Sequence, residues 1–336
     1  MYSIGLDVHG ASFTAAGVDE TGRLIRCRRH KTTEERLIEE VGQYPSPRQV
    51  VVEECHLAQW VKMALEPYVD RLVVCDPKEN RWISQEDFID DQRSAERLAE
   101  LLRDGRLKEI VHPTGEAAAL RREFLHYCDL NCQVTRFKNK LKSVFARVAV
   151  ATPGAAVYAP ESREAWLAKL PDDTLRHIAS HYALPVDLFE AMKRETFRRM
   201  TRRASREPAY KLLQTIPGVG PVLATGYVAL IVTPHRFSHK NKLWRYAGFG
   251  NIRHVSDGVV YASKASPSGC RALKWVAKQH FKTAIRSDHK ENRFIRKLAA
   301  LRANGLSRKQ AKRQVCRQLL SVVRAVWMKG EAYRDR

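Results

Sequence analysis

Two carboxylates stand where the chain otherwise reads as core. Asp7 interrupts the apolar run Ile4-Gly5-Leu6-Asp7-Val8, and Glu53 closes the run Val50-Val51-Val52. A lone buried carboxylate is costly unless a cation or hydrogen bonds compensate it. Oxygen donors at the ends of two core strands suit a hard divalent ion such as Mg2+. Water at a strand end would satisfy either acid by itself; the two together favour an ion. A third acidic group follows at Asp87, Asp90 and Asp91. On a helix, positions 87, 91 and 94 share a face, as do 87 and 90. Acids at a helix start also complement its dipole, which accounts for at least one of the three. A two-metal nuclease-type site needs about four such side chains converging.

Other chemistry is thinner. Ile216-Pro217-Gly218-Val219-Gly220-Pro221 lies between two helical stretches, Ala209 to Thr215 and Val222 to Ile231. That is the pattern of a helix-hairpin-helix, in which Gly218 and Gly220 permit a tight turn whose N–H groups meet a phosphate. A glycine turn between core helices is the plainer reading; the basic surroundings favour the first. Such a motif holds the backbone and reads no bases. The stretch from Tyr246 to Gly269 is expected to be a polar, turn-rich island carrying several serines, and a serine becomes a nucleophile only where something activates it. Cys128 and Cys132 lack a second pair to complete a zinc site, and His177/His181 and His235/His239 lack the glutamate of a zinc protease. No phosphate-binding P-loop or G-x-G-x-x-G occurs.

The elements that must position these residues can be read from the pattern. Strands are expected at 2–9, 12–19 and 22–30, with a turn at Asp19-Glu20-Thr21-Gly22. Thr33 caps an amphipathic helix. Gln49 to Cys55 is a continuous apolar run, as in a strand buried on both faces. A helix over Trp60 to Tyr68, a strand over Arg71 to Cys75, a helix carrying Ala95, Leu98, Ala99, Leu101 and Leu102, and a last short strand at Leu107 to His112 complete the region. The order β-β-β-α-β-α-β-α is a layered α/β sheet of ribonuclease H-like type; actin-like sugar kinases begin the same way. Helical spacing takes over at 114–150, interleaved with Arg121, Arg122, Lys138, Lys140 and Lys142, and resumes over 161–205 and most of 207–336.

The 336 residues carry 59 Lys and Arg against 37 Asp and Glu, a formal charge of +22. Residues 1–110 hold 16 basic and 21 acidic side chains, so the surplus lies wholly in the remainder, with 43 against 16. Such a surplus points to a polyanionic partner, nucleic acid first. No apolar run approaches a membrane span. The start of the chain reads as a strand without a leader pattern, and seven scattered cysteines form no disulfide framework, so a reducing cytoplasm is expected.

Taken together, Gly5-Leu6-Asp7-Val8-His9, Val51-Val52-Glu53-Glu54-Cys55, Cys75-Asp76-Pro77-Lys78-Glu79-Asn80-Arg81, the run from Asp90 to Leu102, Ile216 to Pro221, Arg236-Phe237 and Tyr246-Ala247-Gly248-Phe249 resemble the DEDD transposases of the IS110 insertion-sequence family, relatives of the Piv and MooV invertases. The resemblance covers nearly the whole chain. It implies a RuvC-like domain of ribonuclease H fold at 1–112, a helical, coiled-coil segment at 113–206 and a mainly helical C-terminal transposase domain with a helix-hairpin-helix at 207–336. It implies Mg2+ held by four acids, with Asp7, Glu53 and Asp91 matching the first three and Asp90 or Asp87 available as a substitute. Ser94 stands where the family has the fourth, Asp. It implies a serine nucleophile, for which Ser256 matches best. It also implies a structured bridge RNA that pairs with donor and target DNA, and action as a homodimer or homotetramer in a prokaryotic, nucleoid-associated setting. The alternatives to such a recombinase are a RuvC-like nuclease that forms no covalent intermediate and a nucleic-acid-binding protein with a degenerate site.

Overall fold

In the computed structural model, residues 1–76, 90–256, 259–265, 269–286 and 291–335 are described, with backbone alone at 252–256 and 259–265. The chain divides into two units, 1–114 and 115–336.

The first unit opens with β1 (Tyr2–Val8), β2 (Ser12–Val18) and β3 (Leu24–Lys31), an antiparallel meander. After α1 (Glu34–Gly42), β4 (Arg48–Glu53) returns parallel to β1. After α2 (Ala58–Leu65), β5 (Arg71–Cys75) pairs parallel with β4. The sheet order is β3-β2-β1-β4-β5, the ribonuclease H-like order. Its central strands are apolar through their middles because both faces are covered there. Ile4, Leu6, Val50 and Val52 pack with Leu37 and Val41 of α1 and Val61 and Leu65 of α2. Val51, Val73 and Cys75 point the other way, onto Leu98 and Leu102 of α3 (Asp91–Arg103). Gly5 is what lets α3 lie flat on β1: a Cβ there would stand 2.1 Å from the Ala95 carbonyl oxygen. Thr33 caps α1 as expected. Of the last strand expected at Leu107 to His112, an isolated bridge between Cys75 and Glu109 is formed.

The second unit is built on two 32-residue helices, α4 (Gly115–Ala146) and, beyond the short α5 (Arg163–Leu167), α6 (Asp173–Ala204). They run antiparallel: Tyr127 meets Phe197, Phe137 stacks on Phe189, and Lys138 pairs with Glu190. At one end Leu141, Phe145, Ala179 and Ala183 close a small core with Val157 and Leu170. At the other, Leu120, Phe124, Met200 and Ala204 join the large core of the C-terminal helices. Those are α7 (Pro208–Leu213), α8 (Pro221–Ile231), α9 (Lys240–Tyr246), α10 (Arg271–Ala284), α11 (Arg293–Ala303) and α12 (Arg308–Lys329). The island expected between helices is instead an antiparallel pair, β6 (Asn251–Ser256) and β7 (Val259–Ala265). Among the described residues, no helix is long and apolar enough to cross a membrane.

Candidate functional site

The first three acids are brought to one end of the sheet by register. Asp7 lies opposite Thr14, and Thr14 opposite Arg29. On the other side the parallel ladder pairs Leu6 with Val52, so Glu53 sits one step further on, beside Asp7, and Glu53 in turn pairs with Cys75. Period-2 alternation puts Asp7 and Glu53 on the face of Gly5 and Val51, the face that α3 covers. The first residue of α3 is Asp91. Two strand ends and one helix start thus deliver three carboxylates from positions far apart in sequence.

The closest part of the group is Asp7, His9 and Asp91, each able to offer one ligand atom with all three atoms within 4.8 Å of one another. His9 Nε2 lies 3.4 Å from Asp7 Oδ1 and 3.6 Å from Asp91 Oδ1, and Arg29 Nη1 lies 3.7 Å from Asp91 Oδ2. Burial raises the Asp7 carboxyl above the ordinary carboxylate range, opposed by His9 and reinforced by the neighbouring Asp91 charge. A neighbouring negative charge that disfavours ionisation of a half-buried carboxyl such as Asp7 is offset by a cation between the two. The donor set, oxygens with one imidazole, fits a divalent metal. Glu53 is in the row but outside the close cluster.

Asp90 is the N-cap of α3, its Oδ1 accepting the Arg93 N–H at 2.7 Å, and it is not in the cluster. Ser94 is half-buried in the first turn of the same helix, one turn on from the start of the motif. Asp87 lies outside the described residues. Sequence reasoning gave His9 no role. Its signal was position: two residues after Asp7, it falls on the same side of an extended chain.

In the second unit, Gly218 and Gly220 form the turn between α7 and α8. Gly218 has φ +82°, and a Cβ there would come within 2.5 Å of the Ala284 backbone nitrogen. The turn is braced from α10: Thr283 Oγ1 donates to the Gly218 carbonyl at 2.7 Å, and His280 Nε2 contacts the Pro217 carbonyl at 3.0 Å. Gly220 is exposed and precedes α8 without a side-chain cap. Of the basic residues expected to meet nucleic acid, Arg122 is exposed. Arg121 reaches the Tyr246 hydroxyl at 3.4 Å. Lys138 bonds Glu190, Lys140 stands over the rings of Phe137 and Tyr182, and Lys142 donates to the carbonyls of Thr152 and Gly154, both at 3.0 Å. Lys138 and Lys140 thus tie α4 to α6, and Lys142 ties α4 to the loop that follows it. Ser256 ends β6, its backbone paired with Val259; its side chain lies outside the described residues. The root of that strand is held by Asn251, whose Oδ1 accepts from Arg313 at 3.1 Å and Arg317 at 2.7 Å.

Residues 4–149 match the model of the IS110-type DEDD domain, described as a transposase, and residues 210–296 match the model described as transposase IS116/IS110/IS902 family. The first match takes in Asp7, His9, Glu53 and Asp91; the second takes in Gly218, Gly220 and Ser256. A search of curated proteins found no match.

Proposed function

Because the chain belongs to the IS110 family of DEDD transposases, enzymes of phosphoryl transfer on DNA, we propose that it exchanges DNA strands through the hydroxyl of Ser256, with the Asp7 cluster as an essential second centre and a structured RNA as guide. The observation that carries the reading is the convergence of Asp7, His9 and Asp91, with Glu53 in the same row, on a sheet of ribonuclease H-like order.

Asp7 and Asp91 would hold a divalent cation, with His9 and Glu53 as the further donors at hand. When bound, such an ion supplies positive charge to a phosphoryl group in transfer and lowers the pKa of a bound hydroxyl or water. Arg29, beside Asp91, adds a fixed positive charge to the same end of the sheet. The serine step belongs to the second unit. Ser256 Oγ bonds the phosphorus of a phosphodiester, the bond to the 3′ oxygen breaks, and that oxygen takes a proton to become a 3′-hydroxyl; the serine proton passes to a base. The position of Ser256 within the second family match, and its resemblance to the family's nucleophile, support this assignment. The basic surplus beyond residue 110 supports the RNA and DNA partners. A homodimer or homotetramer is the working assembly in this reading, since two duplexes must be exchanged.

The test is a suicide DNA substrate from which the short fragment ending in the new 3′-hydroxyl is lost after cleavage, so that religation is blocked. Wild type should then be trapped as a covalent protein–DNA adduct, and Ser256→Ala should give none. Cleavage without an adduct, or an adduct that survives Ser256→Ala, rejects the serine step and leaves a hydrolytic nuclease.

A further inference from the structure

We propose that the C-terminal end of α6 and the side of α4 facing it form a pocket that grips the phosphodiester backbone of a nucleic acid. Arg199, Arg202, Arg203 and Arg206 line a cavity of about 310 Å3 together with Glu123 of α4. Arg199, Arg202 and Arg203, spaced by three and four residues, share one face of the last turns of α6, and Arg206 follows in the turn just past its C-cap. Met200 and Ala204, between them in sequence, are buried in the large core, so this end of α6 cannot roll to hide its arginines.

The arginines are held in place without being neutralised. Arg203 Nε donates to Glu123 at 3.1 Å, and its Nη1 bonds Glu116. Arg199 and Arg206 flank the same two carboxylates at 3.6 and 3.7 Å. Arg202 makes no ion pair among the described residues. Four guanidinium groups against two carboxylates leave a surplus of two positive charges in one pocket. Guanidinium forks oriented by carboxylates are suited to two-pronged contact with phosphate oxygens. A second cavity shares Arg203 and Arg206 but is otherwise lined by Glu116, Ala117, Leu120, Glu207, Val228 and Val232, so its two arginines face two carboxylates and the positive surplus lies in the first cavity. The inference rests on the reading that this protein handles nucleic acid, and the backbone chemistry is common to RNA and DNA.

The experiment uses full-length protein, labelled single-stranded RNA and DNA of one sequence, and fluorescence anisotropy over a salt series. Arg199→Gln with Arg202→Gln leaves Arg203 and its two carboxylates intact. Arg308→Gln with Lys309→Gln, on the exposed start of α12, removes the same charge elsewhere. The pocket variant should bind at least one polymer about tenfold more weakly than the control variant does, with a log–log salt slope shallower by about 1 to 2, while its thermal midpoint stays at the wild-type value. The polymer that loses more affinity is the pocket's occupant. Equal losses in the two variants for both polymers overturn the pocket while leaving nucleic-acid binding in place. Wild-type protein that binds neither polymer overturns the broader reading as well.

Discussion

Asp7 and Asp91 present like charges to one another, with His9 between them and burial disfavouring ionisation of Asp7. Without a cation this end of the sheet is therefore destabilised, and a divalent ion should stabilise the fold. At about a hundredfold excess over Kd the gain is about 3 kcal/mol, a rise of several degrees in Tm. Melts with and without the ion should show that rise for wild type and not for Asp7→Asn. In chelator the variant should melt no lower than wild type, while its DNA exchange is abolished. His280 gives a second residue-scale prediction. It is fully buried between Tyr227 and the Pro217 carbonyl, and burial pushes its pKa down to about 4 from 6.5. Between these values the unfolded chain binds a proton that the folded protein does not, so stability falls as pH drops from about 6.5 towards 4, by on the order of 3 kcal/mol. Denaturant midpoints at pH 7 and 4.5 should differ more for wild type than for His280→Phe. The carboxylates were legible in the sequence because each contradicts the apolar run it sits in. His9 contradicts nothing: it is polar, exposed and just past a strand end, and only the folded register shows what it faces.

At the scale of elements, the site depends on how closely α3 approaches β1. Gly5→Ala would drive a methyl group into the Ala95 carbonyl and the Ala99 nitrogen, both backbone atoms that cannot swing aside. The helix must then lift, taking Asp91 away from Asp7. The expected outcome is a loss of roughly 2–3 kcal/mol of stability, as for an overpacked core, together with loss of the cation-induced rise in Tm; an unchanged melt with full cation response would refute the role given to this contact. The strand order was legible because the meander, the buried parallel strands and the capped helices all follow local pattern. The β6–β7 pair was not. Its strands carry few large apolar residues, so serines and glycines dominated the reading. Yet Asp257-Gly258 separates the two strands in sequence, a dipeptide favoured in two-residue hairpin loops. Lys138, Lys140 and Lys142 were legible as basic and helical, but sequence spacing cannot show that a partner helix and a returning loop would claim their charges.

Across the whole molecule, the split after residue 114 nearly coincides with the change in charge, a slightly acidic sheet unit followed by a strongly basic helical one. The Asp7 cluster and the basic surplus thereby lie in different units of one chain. Within the second unit, α4 and α6 hold the small core around Val157 and Leu170 at the far end of a pair of helices about 48 Å long. Such a pair has a pitch as well as a length. One residue inserted in α4 alone turns everything beyond it by about 100° against an unchanged α6, so Phe137 would lose Phe189 and the far core would melt early. Seven residues added to each helix at facing levels restore the phase and should keep a single cooperative melt, while moving the tip outward by about 10 Å. The arm is thus a ruler graduated in heptads: evolution or design can change its reach only in whole steps.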